Sequence, residues 1–275
     1  MTPEDILRAC SARGLEELST PLIDALVPCI RLQAKQGPHV VGSTRIGGEP
    51  DLPPGFPWPT WNGKPLAFVA QVELAAIQAY SICRDLPKDG LLQFYYAAAA
   101  GTWGFDPADR GSWRVMHIRR ADLERRAWPS DLDEESRFRS CQVSLSKDFA
   151  IGPLPEDLQE DEVDDLVDLV VELQDNELGK LTHLLGYPTE IQGEMQEQCA
   201  LVSGGLYCGD PSGYSDPRRA ELGRDAANWR LLLQVGSESE AGMMWGDCGS
   251  LYFWIRERDL EDGRFEDVWM ILQCG

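Results

Sequence analysis

Asp247 sits in Trp245-Gly246-Asp247-Cys248-Gly249, where flanking glycines permit a tight turn ahead of an apolar run. Its carboxylate has two readings. One is an Asx turn bonded to its own backbone, the common behaviour of aspartate in turns and the simpler reading. The other is a binding or acid–base group beside Trp58 and Trp245. Gln71, Gln192 and Gln234 pose a parallel choice. A strand glutamine facing away from the core can bridge parts of the fold, because a buried amide must find partners. It can equally line a groove for a ligand or peptide. Trp58, Gln71, Gln192, Gln234, Trp245 and Asp247 therefore form the candidate binding set, and no residue is assigned as catalytic.

Recognisable catalytic patterns are absent from the sequence. No Gly-x-Ser-x-Gly elbow, His-Glu-x-x-His helix or Walker loop occurs. Gly47-Gly48 does not open a helix in a Gly-x-Gly-x-x-Gly pattern, so it is no dinucleotide fingerprint. The eight cysteines include no Cys-x-x-Cys pair, and with three histidines to help, a zinc site has no support. No cofactor is expected. Reduced, mostly buried thiols are the simplest reading. His183, flanked by Leu181, Leu184 and Leu185, reads as a core or helix-end histidine, and His117 as an outward residue on a strand.

At 275 residues and 43% hydrophobic, the chain has the composition of a globular protein. Its formal charge of −21 repels a phosphate backbone, which argues against nucleic-acid binding. The same field attracts a basic protein partner, although solubility is the plainer consequence. No apolar run approaches the roughly 18 residues of a membrane span. Met1-Thr2-Pro3-Glu4-Asp5 lacks the basic start of a signal peptide, so a cytoplasmic protein is expected.

Periodicity places the elements. Residues 1–37 read as N-terminal helices: Ile23, Leu26, Val27, Ile30 and Ala34 fall at helical spacing behind Thr20-Pro21, with Pro28 as a kink. Residues 46–59 are too rich in proline and glycine for a helix and form an ordered loop. Leu66–Leu74 and Leu91–Ala97 alternate as strands, with Phe68, Ala70 and Val72 on one face and Gln71 on the other. Ala121–Arg126 reads as a basic, solvated helix end. Residues 156–177 hold eleven acidic and no basic side chains, yet Val163, Leu166, Val167, Val170 and Leu173 recur at helical spacing. That predicts an amphipathic helix over 156–180 with an acidic outer face, either solvated or a docking surface.

The stretch Trp229–Ile255 echoes the first hairpin. Aligning Gln71 with Gln234 sets Phe68, Ala70 and Val72 against Leu231, Leu233 and Val235. Aligning Gly90 with Gly249 sets Leu92, Phe94 and Tyr95 against Leu251, Phe253 and Trp254. A one-residue slip would invert every side chain, so the joint agreement points to an internal duplication. The expected division is one globular domain over 1–275, with half-repeats at 40–150 and 181–275.

Gly47-Gly48-x-Pro50-x-Leu52-Pro53, Trp58-Pro59, Leu66-x-Phe68-x-x-Gln71-Val72, Leu184-Leu185-Gly186-Tyr187-Pro188, Ile191-Gln192-Gly193, Trp229–Gln234 and Met244–Ile255 together resemble the YwqG-like bacterial family of unknown function. The usual Ser-Lys before the paired glycines stands here as Ser43-Thr44-Arg45-Ile46. The resemblance implies a cytoplasmic α+β protein with two related halves and no established activity, with an immunity-like, protein-binding role suggested for some relatives. The expected fold is therefore α+β, a mainly antiparallel sheet of two sequence-related halves with N-terminal helices packed as cover. The expected function is a non-catalytic, acidic protein-binding module. The alternative is a small-molecule-binding protein or enzyme using a polar groove near Trp58, Gln192 and Asp247.

Overall fold

The computed structural model describes all residues except 39, 120–121, 155–164, 167, 170–172 and 174–180. Ten strands form one antiparallel sheet: β1 (Leu26–Gln36), β2 (Arg45–Ile46), β3 (Ala67–Glu73), β4 (Leu91–Tyr96), β5 (Trp113–Ile118), β6 (Cys141–Ile151), β7 (His183–Leu184), β8 (Trp229–Gly236), β9 (Ser250–Arg256) and β10 (Trp269–Gln273). Their order across the sheet is β10-β9-β8-β7-β1-β6-β2-β3-β4-β5. β1 and β6 pair along their whole length at the centre, from Leu26 with Ile151 to Gln36 with Cys141. Each then passes outward through a two-residue strand to a three-stranded meander.

The two outer edges return to each other, so the sheet is nearly barrel-shaped. Trp113 Nε1 of β5 donates to the carbonyl of Val268 at 2.7 Å, and the rings of Trp113 and Trp269 meet edge-on at 4.8 Å. The enclosed core takes Ile30 and Leu32 from β1, Phe94 from β4, Phe253 from β9 and the aliphatic side chains around them. A segment at 102–105 straps the seam. Leu272 N–H of β10 donates to Trp103 O, and Trp269 Nε1 to Gly104 O. The strap occupies hydrogen-bonding groups that an edge strand would otherwise offer to another chain.

Three expectations about this architecture need correction. Residues 26–36 form a strand, not a helix. Ile30, Leu32 and Ala34 alternate into the core while Arg31, Gln33 and Lys35 alternate outward, a period of two that overrides the helical spacing of the same apolar residues. Pro28 is accommodated because β7 reaches only Ile30 and Arg31, leaving a single strand neighbour at Pro28. The second correction concerns Phe68. A bulge between Phe68 and Ala70 turns Phe68 to the face opposite Ala70 and Val72, where it joins Leu66 and Tyr95. The partner hairpin is bulged at the matching place, between Leu231 and Leu233.

Ahead of the sheet, the N-terminal helical residues end at Asp24, short of the expected 1–37. Helix α1 (Pro3–Arg13) is capped by Thr2, whose hydroxyl accepts from Asp5 N–H, and closed by Gly14 in the left-handed region. With α2 (Ser19–Asp24) it buries Ile6, Cys10, Leu18 and Leu22 against Leu166 and Leu169. Asp165 and Asp168 are exposed, which matches the amphipathic pattern of the acidic segment where it is described; Val163, Val167 and Val170 lie outside the described residues. The basic stretch at 121–126 ends as a strand, not a helix: Glu124-Arg125 pairs with Asp51-Leu52.

Gly104 tests the strap. It has φ +79°, and a Cβ there would fall 1.9 Å from Met270 O. Gly104→Ala is expected to cost about 2–4 kcal/mol in urea unfolding. Gly101→Ala, at φ +59° but with open space around it, should cost about 1 kcal/mol.

Candidate functional site

The outer face of the sheet carries two polar clusters, each roofed by a loop. In the first, Gln71 of β3 stands opposite Arg45 of β2, and both are fully buried. Gln71 Nε2 donates to Ser43 O at 2.8 Å and to Asp51 Oδ2 at 2.7 Å, while its Oε1 accepts from Asp51 N–H at 3.2 Å. Gln93 of β4 donates to Asp51 O at 2.7 Å. Asp51 also accepts from Gly42 N–H, Arg125 Nε at 2.7 Å and Arg45 Nη2 at 3.2 Å. Arg45 Nη2 bonds Glu49 O as well, and its guanidinium lies over the Phe68 ring.

These contacts set the charges. Burial works to raise the Asp51 pKa, but Arg125, Arg45, the Gly42 N–H and Gln71 outweigh it and hold the carboxyl below its usual range. Burial pushes Arg45 down to about 10 against the pull of Asp51, which still leaves it charged at neutral pH. The loop carrying Asp51 is thereby tied to the sheet. Arg45 Nε and Nη1 find no partner, which leaves the buried cation only partly satisfied.

The second cluster reproduces the first with different residues. Gln234 of β8 stands opposite His183 of β7. Its Nε2 donates to Leu181 O, and its Oε1 accepts from Thr189 N–H at 2.9 Å. Tyr252 of β9 donates to Thr189 O at 2.5 Å, as Gln93 does to Asp51 O. Leu185 N–H donates to Leu232 O as Gly47 N–H donates to Val69 O, and both residues of each glycine-position pair, Gly47-Gly48 and Leu185-Gly186, have positive φ. Thus Arg45, Asp51, Gln71 and Gln93 occupy the places of His183, Thr189, Gln234 and Tyr252. Carbonyl oxygens face both ring nitrogens of His183, Leu185 O at 2.8 Å and Gln234 Oε1 at 3.2 Å. Burial nonetheless lowers its pKa to about 4, so the ring is neutral.

A polar cavity of about 210 Å³ opens beside His183 and Thr189, lined also by Arg31 and Asp148. Asp148 accepts from the amine of Met1 at 2.5 Å. Glu190, on the roof, is pushed up to about 7 by burial and by Glu194, and its Oε1 has no partner. Among the described residues no group of three or more His, Cys, Asp or Glu side chains is placed to hold a metal ion. All eight cysteines are free, and Cys248 is exposed.

The six candidate side chains do not converge. Gln71 and Gln234 are central to the two clusters, and they are buried, not facing water, because the loops form a second layer over the outer face. Trp58 is half-buried against Tyr95, and Trp245 is in the core against Tyr96 and Phe138. Tyr95 and Tyr96 are neighbours on β4 and point to opposite faces, which separates the two tryptophans. Gln192 is exposed, its N–H donating to Gln273 Oε1 at 3.0 Å. Asp247 is exposed and its carboxylate makes no hydrogen bond among the described residues; the turn is closed instead by Gly249 N–H to Trp245 O. Arg45, Asp51, Gln93 and Gln273 were not picked out from sequence. The signal for the first three is the matched spacing of the two Gly-position loops and their glutamines.

A separate surface lies on the strap. Trp103 and Phe105 stack with centroids 6.4 Å apart, and Trp103 is 40% exposed. Phe105 O accepts from Cys208 N–H, which brings in Tyr207, 43% exposed. Asp106, Asp109 and Asp210 adjoin these aromatics in sequence. The family described as "Domain of unknown function (DUF1963)" matches residues 44–274, which include the bonding side chains of both clusters and the strap but not β1. No curated protein matches the sequence.

His183 gives a pH test. Its folded pKa is depressed from the usual 6.5 to about 4, so its contribution to stability is full above pH 6.5 and is lost as pH falls toward 4. Glu190 acts oppositely, since its raised pKa favours the folded state as pH falls through 7. The informative quantity is therefore a difference. Between pH 7 and 5 the unmodified chain should lose about 2 kcal/mol relative to His183→Gln, read by urea unfolding at each pH.

Proposed function

Since the chain belongs to the DUF1963 family, whose function is unknown, we propose that it is a non-catalytic, acidic protein-binding module that docks a basic protein through the strap aromatics. The observation carrying this reading is that Trp103 and Tyr207 are both exposed, on two segments joined by the Cys208 N–H to Phe105 O bond and each followed by aspartates. Large aromatics at the centre of a contact supply most of the binding energy of protein interfaces. A charge of −21 on the chain accelerates the approach of a basic partner and disfavours an acidic one. The side chains of Gln71 and Gln234 hold roof loops, while Gln192 is exposed.

Within this reading the protein is a cytoplasmic, YwqG-like one with an immunity-like role. Among the described residues no helix is long and apolar enough to cross a membrane. The two halves derive from a duplication: the matched bulges, paired glutamines and positive-φ pairs support this origin.

The test compares the immobilised chain with its Trp103→Ala/Tyr207→Ala variant in lysate of the source organism at low and moderate salt. A protein of basic pI should be retained at low salt by the unmodified chain. Its retention should fall at least about tenfold in the variant, the equivalent of roughly 1.4 kcal/mol, and decline as salt screens the charges. Equal retention by the variant, or no basic protein at either salt, rules the proposal out.

A further inference from the structure

Three short turns meet beside the end of β4. A small hairpin pairs Thr60 with Pro65 and Trp61 with Lys64 around Asn62-Gly63, both at positive φ, as a tight two-residue hairpin turn requires. Past β4, the N–H groups of Ala100 and Gly101 both bond Ala97 O and turn the chain back. Ser136 N–H bonds Asp133 O in the third turn. Together they enclose a cleft of about 290 Å³, lined by Trp61, Pro65, Leu66 and the four alanines at 97–100. Its walls are open to solvent: Trp61, Pro65 and Ala98 are half-buried, and Ala99 and Ala100 are exposed. Ser136, only 3% exposed, also lines the cleft, and its hydroxyl has no partner among the described residues. One wall is acidic. Asp131, Asp133, Glu134 and Glu135 are exposed, and none of them pairs with a cation among the described residues. The Arg137 guanidinium beside them is taken by the carbonyls of Ser130 and Leu132. Lys64 lines the opposite, hairpin side.

We infer that this cleft docks one large apolar side chain of a basic peptide segment, with the cations beside that side chain lying along the 131–135 wall. The inference rests on the reading of the chain as a module for a basic protein, and it adds a second contact to the strap. The volume is just below the roughly 300–1,000 Å³ of small-molecule pockets, and it suits a single anchoring ring. Asp131, Glu134 and Glu135 lie outside the lining, where a molecule confined to the cleft does not reach and a longer segment does. An apolar anchor in a pocket, surrounded by polar contacts, is how protein interfaces concentrate their binding energy. Four unpaired carboxylates against one lysine select a cation next to that anchor. The Ser136 hydroxyl is left for a backbone group of the segment, since a buried polar group without a partner is costly. Ala100 and Trp103 are three residues apart, at most about 11 Å along the chain, so one partner reaches both cleft and strap.

The cleft is tested by fluorescence anisotropy at low salt, titrating the full chain into a fluorescein-labelled peptide of one phenylalanine flanked on each side by two lysines. Saturable binding of one equivalent is expected. Serine in place of the phenylalanine should weaken it at least tenfold. So should Ala99→Trp, which fills the cleft, and Asp133→Lys/Glu134→Lys, which reverses the wall. Trp103→Ala/Tyr207→Ala should leave this short peptide's binding unchanged. Should either cleft variant fail to fold, movement of the Ala99 and Ala100 methyl NMR signals of the unmodified chain on adding the peptide decides instead. No saturable binding, equal binding of the serine peptide, undiminished binding by a folded cleft variant, or unmoved methyl signals overturns the inference. Binding that the strap variant loses and Ala99→Trp keeps also overturns it, while leaving the protein-binding reading standing.

Discussion

Asp51 is a carboxylate without solvent exposure, and much of the first half is arranged around keeping it ionised. Its two oxygens take Arg45, Arg125, Gln71 and the Gly42 N–H, and its backbone takes Gln71 and Gln93. Each of those groups belongs to a different piece of chain: a two-residue strand, a short ribbon, two long strands and a turn. Removing one partner from a buried charge pair costs about 3–5 kcal/mol, while the intact pair adds little net stability. The cluster therefore acts through specificity. It fixes one position for the proline-rich loop and one register for β2, which two backbone pairings could not secure alone.

The second half holds the same backbone arrangement without a salt bridge. His183 stands for Arg45, Thr189 for Asp51 and Tyr252 for Gln93, around an unchanged glutamine. What the two solutions share is the amide, which can accept from one chain segment and donate to another at once. What differs is how tightly the roof is fastened. Four donors converge on the Asp51 carboxylate, whereas Thr189 is held through its backbone by Gln234 and Tyr252.

The meanders were legible because their apolar alternation is strong and glycines mark their ends. β1 was not, since Ile23, Leu26, Val27, Ile30 and Ala34 satisfy helical spacing while Ile30, Leu32 and Ala34 satisfy strand spacing. Only pairing with β6, more than a hundred residues away, decides between them. The face of Phe68 depended on a single inserted residue that no local pattern announces. For Gln71 and Gln234 the sequence leaves two roles open, bridging parts of the fold or lining a groove. Alternation tells which side of a strand a residue takes, and an antiparallel sheet commonly wets one side; here loops cover that side, a tertiary fact. Asp51 sits in a stretch whose composition marks it only as a loop, and Arg45 just ahead of it stands out only as a departure from the family's usual Ser-Lys. Trp103 and Tyr207 carry no periodic signal, because their exposure arises where two distant edges meet.

The central position of β1 orders events during synthesis. This strand is made first, yet one neighbour, β6, ends at Ile151 and the other, β7, begins at His183. Until β6 is made, both hydrogen-bonding edges of β1 are without these partners, and the edge facing β7 stays so until His183. Assembly of the barrel is thus governed by a few pairings of very large sequence separation, the regime of slow, topology-limited folding. The first meander, with local hairpins and its own charged cluster, can form while the ribosome is still adding the second. An early strand waiting for late partners is also the segment of this chain most in need of protection from other strands.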